Sequence, residues 1–223
     1  MSLNRLLASA STILLLPLGA VTLGSGAASA ADLNFSASPK RVVVNQSYEN
    51  IRWHVRGSTY WVDSVDVYLE HAATREGVDL DFTFDGQTNG VFKFYDWNRP
   101  GRYNVHGVAY DDYYNEMPVA RTHLTVKFGS KSTLTANRSG RYVKLRAVTK
   151  RYDGGYPLWK AHRKATVTYQ RYARGDWRSI ARRTVARNGV TNLTVRRQRA
   201  AKYRVVVRPT NRVWNSTSRI VRR

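Results

Sequence analysis

The sequence predicts an all-β protein, two tandem β-sandwiches behind a signal peptide, and three observations carry that expectation. Apolar residues recur with period two in short runs, Gly, Asn, Asp and Pro separate those runs, and no stretch has the 3.6-residue periodicity of a helix of useful length. Of 223 residues, 42% are hydrophobic and 12% aromatic, with 6 Trp and 14 Tyr, enough to bury a sizeable core. The charge also changes abruptly in mid-chain: residues 32–128 hold 10 basic and 13 acidic side chains, whereas residues 129–223 hold 26 basic and only 2 acidic ones, Asp153 and Asp176. Such a step, at the small polar residues around Gly129, Ser130 and Ser132, marks a boundary between two units.

In chain order, residues 1–30 read as the export signal. Arg5 supplies the charged start, Leu6 to Leu18 the apolar run, and Ala28-Ser29-Ala30 the small residues of a cleavage site before Ala31. The alternative, an uncleaved anchor, is disfavoured because Pro17 interrupts a run shorter than the roughly 20 residues that span a bilayer. No transmembrane segment is expected after it. The mature chain is therefore expected to be secreted, or retained at the cell surface by non-covalent contacts alone.

The first unit, residues 31–128, is slightly acidic and shows strand patterns at Arg41–Val44, Ile51–Arg56, Val62–His71, Asp79–Phe84, Val91–Tyr95, Arg102–Tyr110 and Arg121–Lys127. That spacing is typical of a sandwich. The second unit, residues 129–223, repeats the plan at Thr133–Ala136, Tyr142–Thr149, Ala165–Tyr172, Trp177–Val185, Thr191–Arg197, Lys202–Arg208 and Ser216–Arg222. Tyr203, Val205 and Val207 should face the core with Lys202, Arg204 and Arg208 in water, and likewise Val143, Leu145 and Ala147 inward with Lys144 and Arg146 outward. Trp177, after the tight turn Arg174-Gly175-Asp176, is expected as a buried anchor.

Pro100-Gly101-Arg102-Tyr103-Asn104-Val105 followed by Ala109-Tyr110-Asp111-Asp112-Tyr113-Tyr114-Asn115 resembles the Gly-x-Tyr-x-Val … Ala-x-Asp-x-x-Gly-Asn ending of bacterial Ig-like and PKD-like extracellular modules. Tyr114 stands where those modules have Gly. The second unit, with Arg174 to Ile180, Gly189, Tyr203 to Val207 and Ser216-Thr217-Ser218, is similar to Ig-like repeats of exported actinobacterial proteins. The resemblance implies two tandem Ig-like β-sandwich domains without implying a chemistry.

Several chemistries are excluded or weakly supported. With 0 Cys there is no disulfide, thiol nucleophile or Cys-ligated zinc. There is no Gly-x-Ser-x-Gly elbow, His-Glu-x-x-His or Gly-rich phosphate loop, so a non-enzymatic protein without cofactor is expected. Of the 5 His, His54, His71, His106 and His123 fall on expected strands, where isolated solvent-facing or hydrogen-bonded residues are favoured over a zinc site, and His162 reads as a surface residue. Asp79, Asp81, Asp85, Asp111 and Asp112 are weak Ca²⁺ candidates, because oxygen ligands on turns suit that ion, although Asp also populates turns for backbone reasons alone. Tyr60-Trp61, Tyr95-Asp96-Trp97 and the run Tyr110 to Tyr114 are candidate sugar-stacking residues. Trp53, Trp61 and Trp97 are more simply read as filling the core and strand faces of the sandwich.

The basic second unit carries the functional expectation. Base composition of the gene does not explain why one half is slightly acidic and the other strongly basic. Arg outnumbers Lys 20 to 6 there, and the planar guanidinium suits phosphate and carboxylate oxygens. Arg171, Arg174, Lys202, Arg204, Arg208 and Arg219 are the expected polyanion-binding residues, with solubility as the alternative use of the charge. The expected partner is an anionic cell-wall polymer or another extracellular polyanion, with a glycan or protein partner for the first unit. A carbohydrate-binding or Ca-assisted adhesion module is the second reading.

Overall fold

Alternating apolar and polar side chains become strands over nearly the whole chain. The structure is a computed structural model that describes residues 33–57, 59–83, 86–156, 158–197 and 199–223, with backbone alone at 79–83, 118 and 120. The expected signal peptide and its cleavage site at Ala31 lie outside the described residues. In the first half the strands are β1 (Leu33–Ser38), β2 (Arg41–Val44), β3 (Tyr48–Arg56), β4 (Ser64–His71), β5 (Gly77–Thr83), β6 (Asn89–Tyr95), β7 (Gly101–Tyr110), β8 (Glu116–Ala120) and β9 (Thr122–Phe128). In the second half they are β10 (Ser130–Ser139), β11 (Tyr142–Asp153), β12 (Leu158–Ala161), β13 (Thr166–Ala173), β14 (Asp176–Thr184), β15 (Val190–Arg196), β16 (Lys202–Val207), β17 (Ser216–Thr217) and β18 (Val221–Arg222). No helix occurs among the described residues.

All fourteen expected strand positions carry strand, but β1, β8 and β12 were not expected, and the single strand foreseen at Ser216–Arg222 is two short pieces, β17 and β18. The added strands are recruited by their neighbours. β8 joins β7 to β1, and β12 pairs with the end of β11 beyond its pairing with β15.

In the first half, β1-β3-β6 faces β2-β9-β7-β4-β5, with β2 parallel to β9 and the other ladders of these two layers antiparallel. In the second half, β10-β11-β15 faces β14-β13-β16, and β17 and β18 both pair with β16. In both halves a late strand, β6 or β15, returns to pair with β3 or β11 of the first hairpin, while β4 and β5, or β13 and β14, lie in the other layer. The side chains facing inward form two hydrophobic clusters. Ile51, Trp53, Leu69, Phe94, Tyr103 and Leu124 centre the first; Val143, Leu145, Tyr169, Tyr203 and Val205 centre the second. Burial of each such side chain is worth about 1.5–3 kcal/mol relative to exposure. The alternation expected at residues 202–208 and 143–147 is present.

Two details explain the motif that begins at Pro100. The Tyr103 hydroxyl, at the start of β7, donates to the Arg99 carbonyl at 2.5 Å, which closes the corner before the strand. Gly101 is required by contact: any Cβ there would collide with the imidazole of His71, whose ring meets Tyr103 edge-on at 5.1 Å.

At the other end of β7, Tyr114 has φ 60°, the left-handed conformation that Gly adopts most readily. The turn tolerates it because Asp111 clamps the backbone: one carboxylate oxygen accepts from the Tyr113 and Asn115 amides and the other from the Asn115 side-chain amide, each at 2.9 Å. Tyr114 itself is 78% exposed and contributes no core contact. Tyr114→Gly is therefore expected to stabilise the protein by about 0.5–1 kcal/mol, read as a shift in the urea midpoint. An unchanged or lower midpoint would show that the side chain has a role on the surface.

The halves meet without a spacer, since only Gly129 separates β9 from β10. Tyr152, 1% exposed, leaves the second half to pack within the first cluster, and its hydroxyl donates to Asp96 at 2.8 Å. Burial, followed by the neighbouring Asp96 carboxylate, pushes the Tyr152 phenol well above its ordinary range, so it stays protonated as the donor. Trp214 lies across β2 and β9: its indole donates to the Val42 carbonyl at 2.7 Å, and Arg41 and Lys127 sit over its ring at 4.1 and 4.8 Å. Lys127 Nζ also donates to the Thr210 carbonyl.

Candidate anion-binding surfaces

Cations in the second half cannot be neutralised internally. Asp153 engages Arg151 at 3.4 Å and Lys160 more closely, while the other carboxylate, Asp176, has no ion pair among the described residues. Three surfaces each gather several of the basic side chains.

The first is the outer face of the β14-β13-β16 sheet. Strand register sets Gln170 opposite Arg204, Tyr172 opposite Trp177, Thr168 opposite Arg182, and Lys202 opposite Arg222. Arg204 donates through Nε to Gln170 at 2.8 Å, and its guanidinium lies 4.2 Å from the Trp177 ring centre. Lys202 sits 5.6 Å over Tyr172, whose ring meets Trp177 edge-on at 5.4 Å. Cation–π contacts hold both cations, and the hydrogen bond to the Gln170 side-chain oxygen further fixes Arg204, while other N–H donors of each are left over. Trp177 is therefore not the buried anchor expected from sequence. It stands half-buried on the outer face, because the two-residue turn at Arg174 (φ 53°) and Gly175 (φ 83°) sets Ala173 opposite Asp176 and puts Trp177 beside Tyr172.

The second surface is a groove of about 620 Å³ lined by Arg171, Tyr172, Ala173, Arg196, Arg197, Arg199, Ala200 and Ala201, with no acidic residue among them. Arg171 pairs with Tyr203, so it belongs to the side of the sheet opposite Arg204 and turns toward this groove. The third is a cleft of about 960 Å³ between the β11–β12 end and the 210–213 loop, lined by Arg151, Asp153, Lys160, His162, Arg163, Thr210, Asn211 and Arg212 together with Ala161 and Val213.

The six sequence-chosen cations thus separate. Lys202 and Arg204 share the outer face, Arg171 lies in the groove, Arg174 is exposed in the β13–β14 turn, Arg208 is exposed just past β16, and Arg219 is exposed between β17 and β18. Sequence reasoning missed Arg196, Arg197 and Arg199. The signal available was the density of Arg at residues 196–199, which period-two reading treated as the end of a strand. It also missed the cleft, because Arg151, Arg163 and Arg212 come together only through folding.

His162 is 4% exposed, not a surface residue as expected. It follows β12, and β12 rests against the end of β11. Burial, then the Arg151 charge, lowers its pKa, so the imidazole beside the cleft is neutral at neutral pH. His106 is also buried, stacked on Tyr68 at 4.6 Å, with its pKa lowered first by burial and then by Arg121. His123 is exposed.

For calcium, Asp85 and the side chains of Asp79 and Asp81 lie outside the described residues. Asp111 is held in its own turn, Asp112 is exposed, and no group of three or more candidate metal ligands occurs among the described residues.

The aromatic expectation divides. Trp53 fills the core, stacked on Phe35 at 6.0 Å, but Trp61 and Trp97 are 66% and 65% exposed and do not. Both sit on loops beyond strand ends, where no second sheet covers them. Trp97 stacks on Tyr95 with ring centres 4.2 Å apart and planes 12° from parallel, and Tyr48 meets Tyr95 edge-on at 6.1 Å.

No protein-family model matches the chain, and no curated protein matches it. Among solved structures, the tetra-tandem repeat from the extending region of a large adhesion protein is 14% identical, with 86% of this chain and 48% of that chain covered and a TM-score of 0.35; this chain thus spans about half the length of that fragment. The fibronectin(III)-like modules of Clostridium thermocellum CbhA are 15% identical, with 84% and 90% covered and a TM-score of 0.35. The chicken interferon gamma receptor alpha chain is 9% identical, with 80% and 95% covered and a TM-score of 0.44.

Proposed function

We propose that this chain is a secreted, non-enzymatic surface-binding protein of two tandem Ig-like domains, residues 31–128 and 129–223, whose basic second domain holds an anionic polymer of the cell wall or another extracellular polyanion. The observation that carries this reading is the groove of about 620 Å³ that Arg171, Arg196, Arg197 and Arg199 line with no carboxylate among its lining residues. Charge kept only for solubility has no reason to converge in a concave surface, where like charges repel one another. An anionic ligand relieves that repulsion, and guanidinium forks match its oxygens. The resemblance to modules of exported actinobacterial proteins supports a Gram-positive wall as the setting, and phosphate-rich wall polymer as the first ligand to test. No helix among the described residues is long and apolar enough to cross a membrane.

The test is the salt dependence of binding by the full mature chain to phosphate-rich wall polymer and to duplex DNA as a reference polyanion. Displacement of condensed counterions from about six phosphates weakens binding by about 10³-fold between 50 and 200 mM salt. Salt-insensitive binding, or none at 50 mM, refutes the reading.

A further inference from the structure

We propose a second site, for an anionic glycan, across the joint between the halves: a sugar ring on the Trp97 ledge and its neighbouring charge in the Arg151–Arg212 cleft. This site is distinct from the groove of Arg171, Arg196, Arg197 and Arg199, and it rests on the polyanion reading only for the negative charge of the ligand. Residues adjoining the two surfaces are bonded to each other. Asp96, next to Trp97, accepts the Tyr152 hydroxyl, and Asp153, next to Tyr152, lines the cleft. The following residue, Gly154, packs so closely that a Cβ there would collide with the Asp96 carbonyl oxygen and the Phe128 ring. A buried bond and a glycine contact therefore fix the ledge and the cleft relative to each other. Two rigidly spaced half-sites bind a ligand that bridges them with little ordering cost.

Each half-site selects a different chemistry. On the ledge, Trp97 is 65% exposed while Tyr95 supports it from one side in near-parallel stacking, so one indole face is preorganised and open. An open aromatic face at the surface takes the apolar C–H face of a pyranose ring. Tyr156, 69% exposed with Lys160 lying 5.2 Å over its ring, adds an exposed aromatic ring beside a cation that lines the cleft. In the cleft, Arg151, Lys160, Arg163 and Arg212 offer N–H donors to phosphate or carboxylate oxygens, and Thr210 and Asn211 add neutral polar groups. Asp153 discriminates among polyanions. It retains lone pairs beyond its bonds to Arg151 and Lys160, which sugar hydroxyls satisfy, whereas a nucleic-acid backbone brings only further negative charge to it.

The experiment titrates the full mature chain at 50 mM salt with five probes: phosphomannan and polygalacturonate, which carry phosphate and carboxylate on sugar rings, neutral dextran, inorganic polyphosphate, and a single-stranded oligodeoxynucleotide. One or both charged glycans are expected to bind at least tenfold more tightly than the other three, and which one binds identifies the anion. Trp97→Ala should weaken glycan binding about tenfold and leave polyphosphate binding unchanged. Arg163→Glu with Arg212→Glu should weaken glycan binding at least tenfold. All three side chains are exposed, so the fold is retained, which a thermal melt checks. Polyphosphate binding as tight as glycan binding, or glycan binding indifferent to Trp97, overturns the inference while the polyanion reading stands. Oligonucleotide binding with the same Trp97 dependence overturns it in favour of a nucleic-acid ligand. Absence of binding to every charged probe removes both.

Discussion

Replacing Tyr152 with alanine is expected to destabilise the protein by about 4 kcal/mol, the largest effect of any single truncation at the joint. The ring is 1% exposed within the first hydrophobic cluster although it belongs to β11 of the second half. Phe128 and Trp159 flank it, with ring centres 6.4 and 5.8 Å away. Truncation of a buried aromatic side chain to alanine typically costs about 3–5 kcal/mol through lost transfer energy and the cavity left behind. It also strands Asp96, 4% exposed, without the hydroxyl that donates to it. Tyr152→Phe separates these contributions. It keeps the packing and removes only the donor, at a cost of about 1–3 kcal/mol for a buried acceptor left unpaired. Urea unfolding of the three proteins at one pH measures both. A loss below about 1 kcal/mol for the alanine variant would mean that Tyr152 contributes little and that the other contacts across the joint, those of Trp214, Lys127 and Phe128 among them, hold the halves.

The joint also marks the limit of what the sequence revealed. Period-two alternation identified the strands that bury one face, such as β16, where Tyr203, Val205 and Val207 go inward and Lys202 and Arg204 outward. It could not identify β12, whose residues are exposed or half-buried in alternation and which is a strand only because the end of β11 is available to pair. The same local reading placed His162 on the surface, since the neighbouring Lys160, Arg163 and Lys164 are charged, although its own ring turns inward. Trp97 failed in the opposite direction. Large aromatic residues usually fill cores, but Asp96 turns inward to Tyr152 and leaves Trp97 outside. Charge asymmetry was legible because it is a sum and needs no geometry. Assigning cations to faces needs register, and register separates Arg171 from Arg204 although both lie on paired strands. The resemblance around Gly101 and Tyr103 was informative for the same reason as the alternation: its residues act locally, through a corner hydrogen bond and a close approach.

Reversing Arg196 and Arg197 to glutamate is expected to weaken polyanion binding by about 100-fold at 0.1 M salt and to lower the slope of log K against log salt by about 2. Each phosphate contact contributes a slope of about −0.9, which at 0.1 M corresponds to about eightfold per contact, so two lost contacts account for most of the change. Neither side chain carries the core; both line the groove with Arg171 and Arg199. The decisive control is Lys144→Glu with Arg146→Glu. Both residues are exposed on β11, on the same sheet face as Arg196 but outside the groove lining, and the exchange alters net charge by the same amount. A diffuse attraction to the whole basic half responds equally to the two pairs, whereas a ligand seated in the groove responds to Arg196 and Arg197 about tenfold more. Arg182 is unsuitable as a neutral control, because its register opposite Thr168 puts it on the same outer face as Arg204. Arg204→Glu tests that face separately: loss there, with the groove pair silent, moves the anion from the groove to the Trp177 side of the sheet.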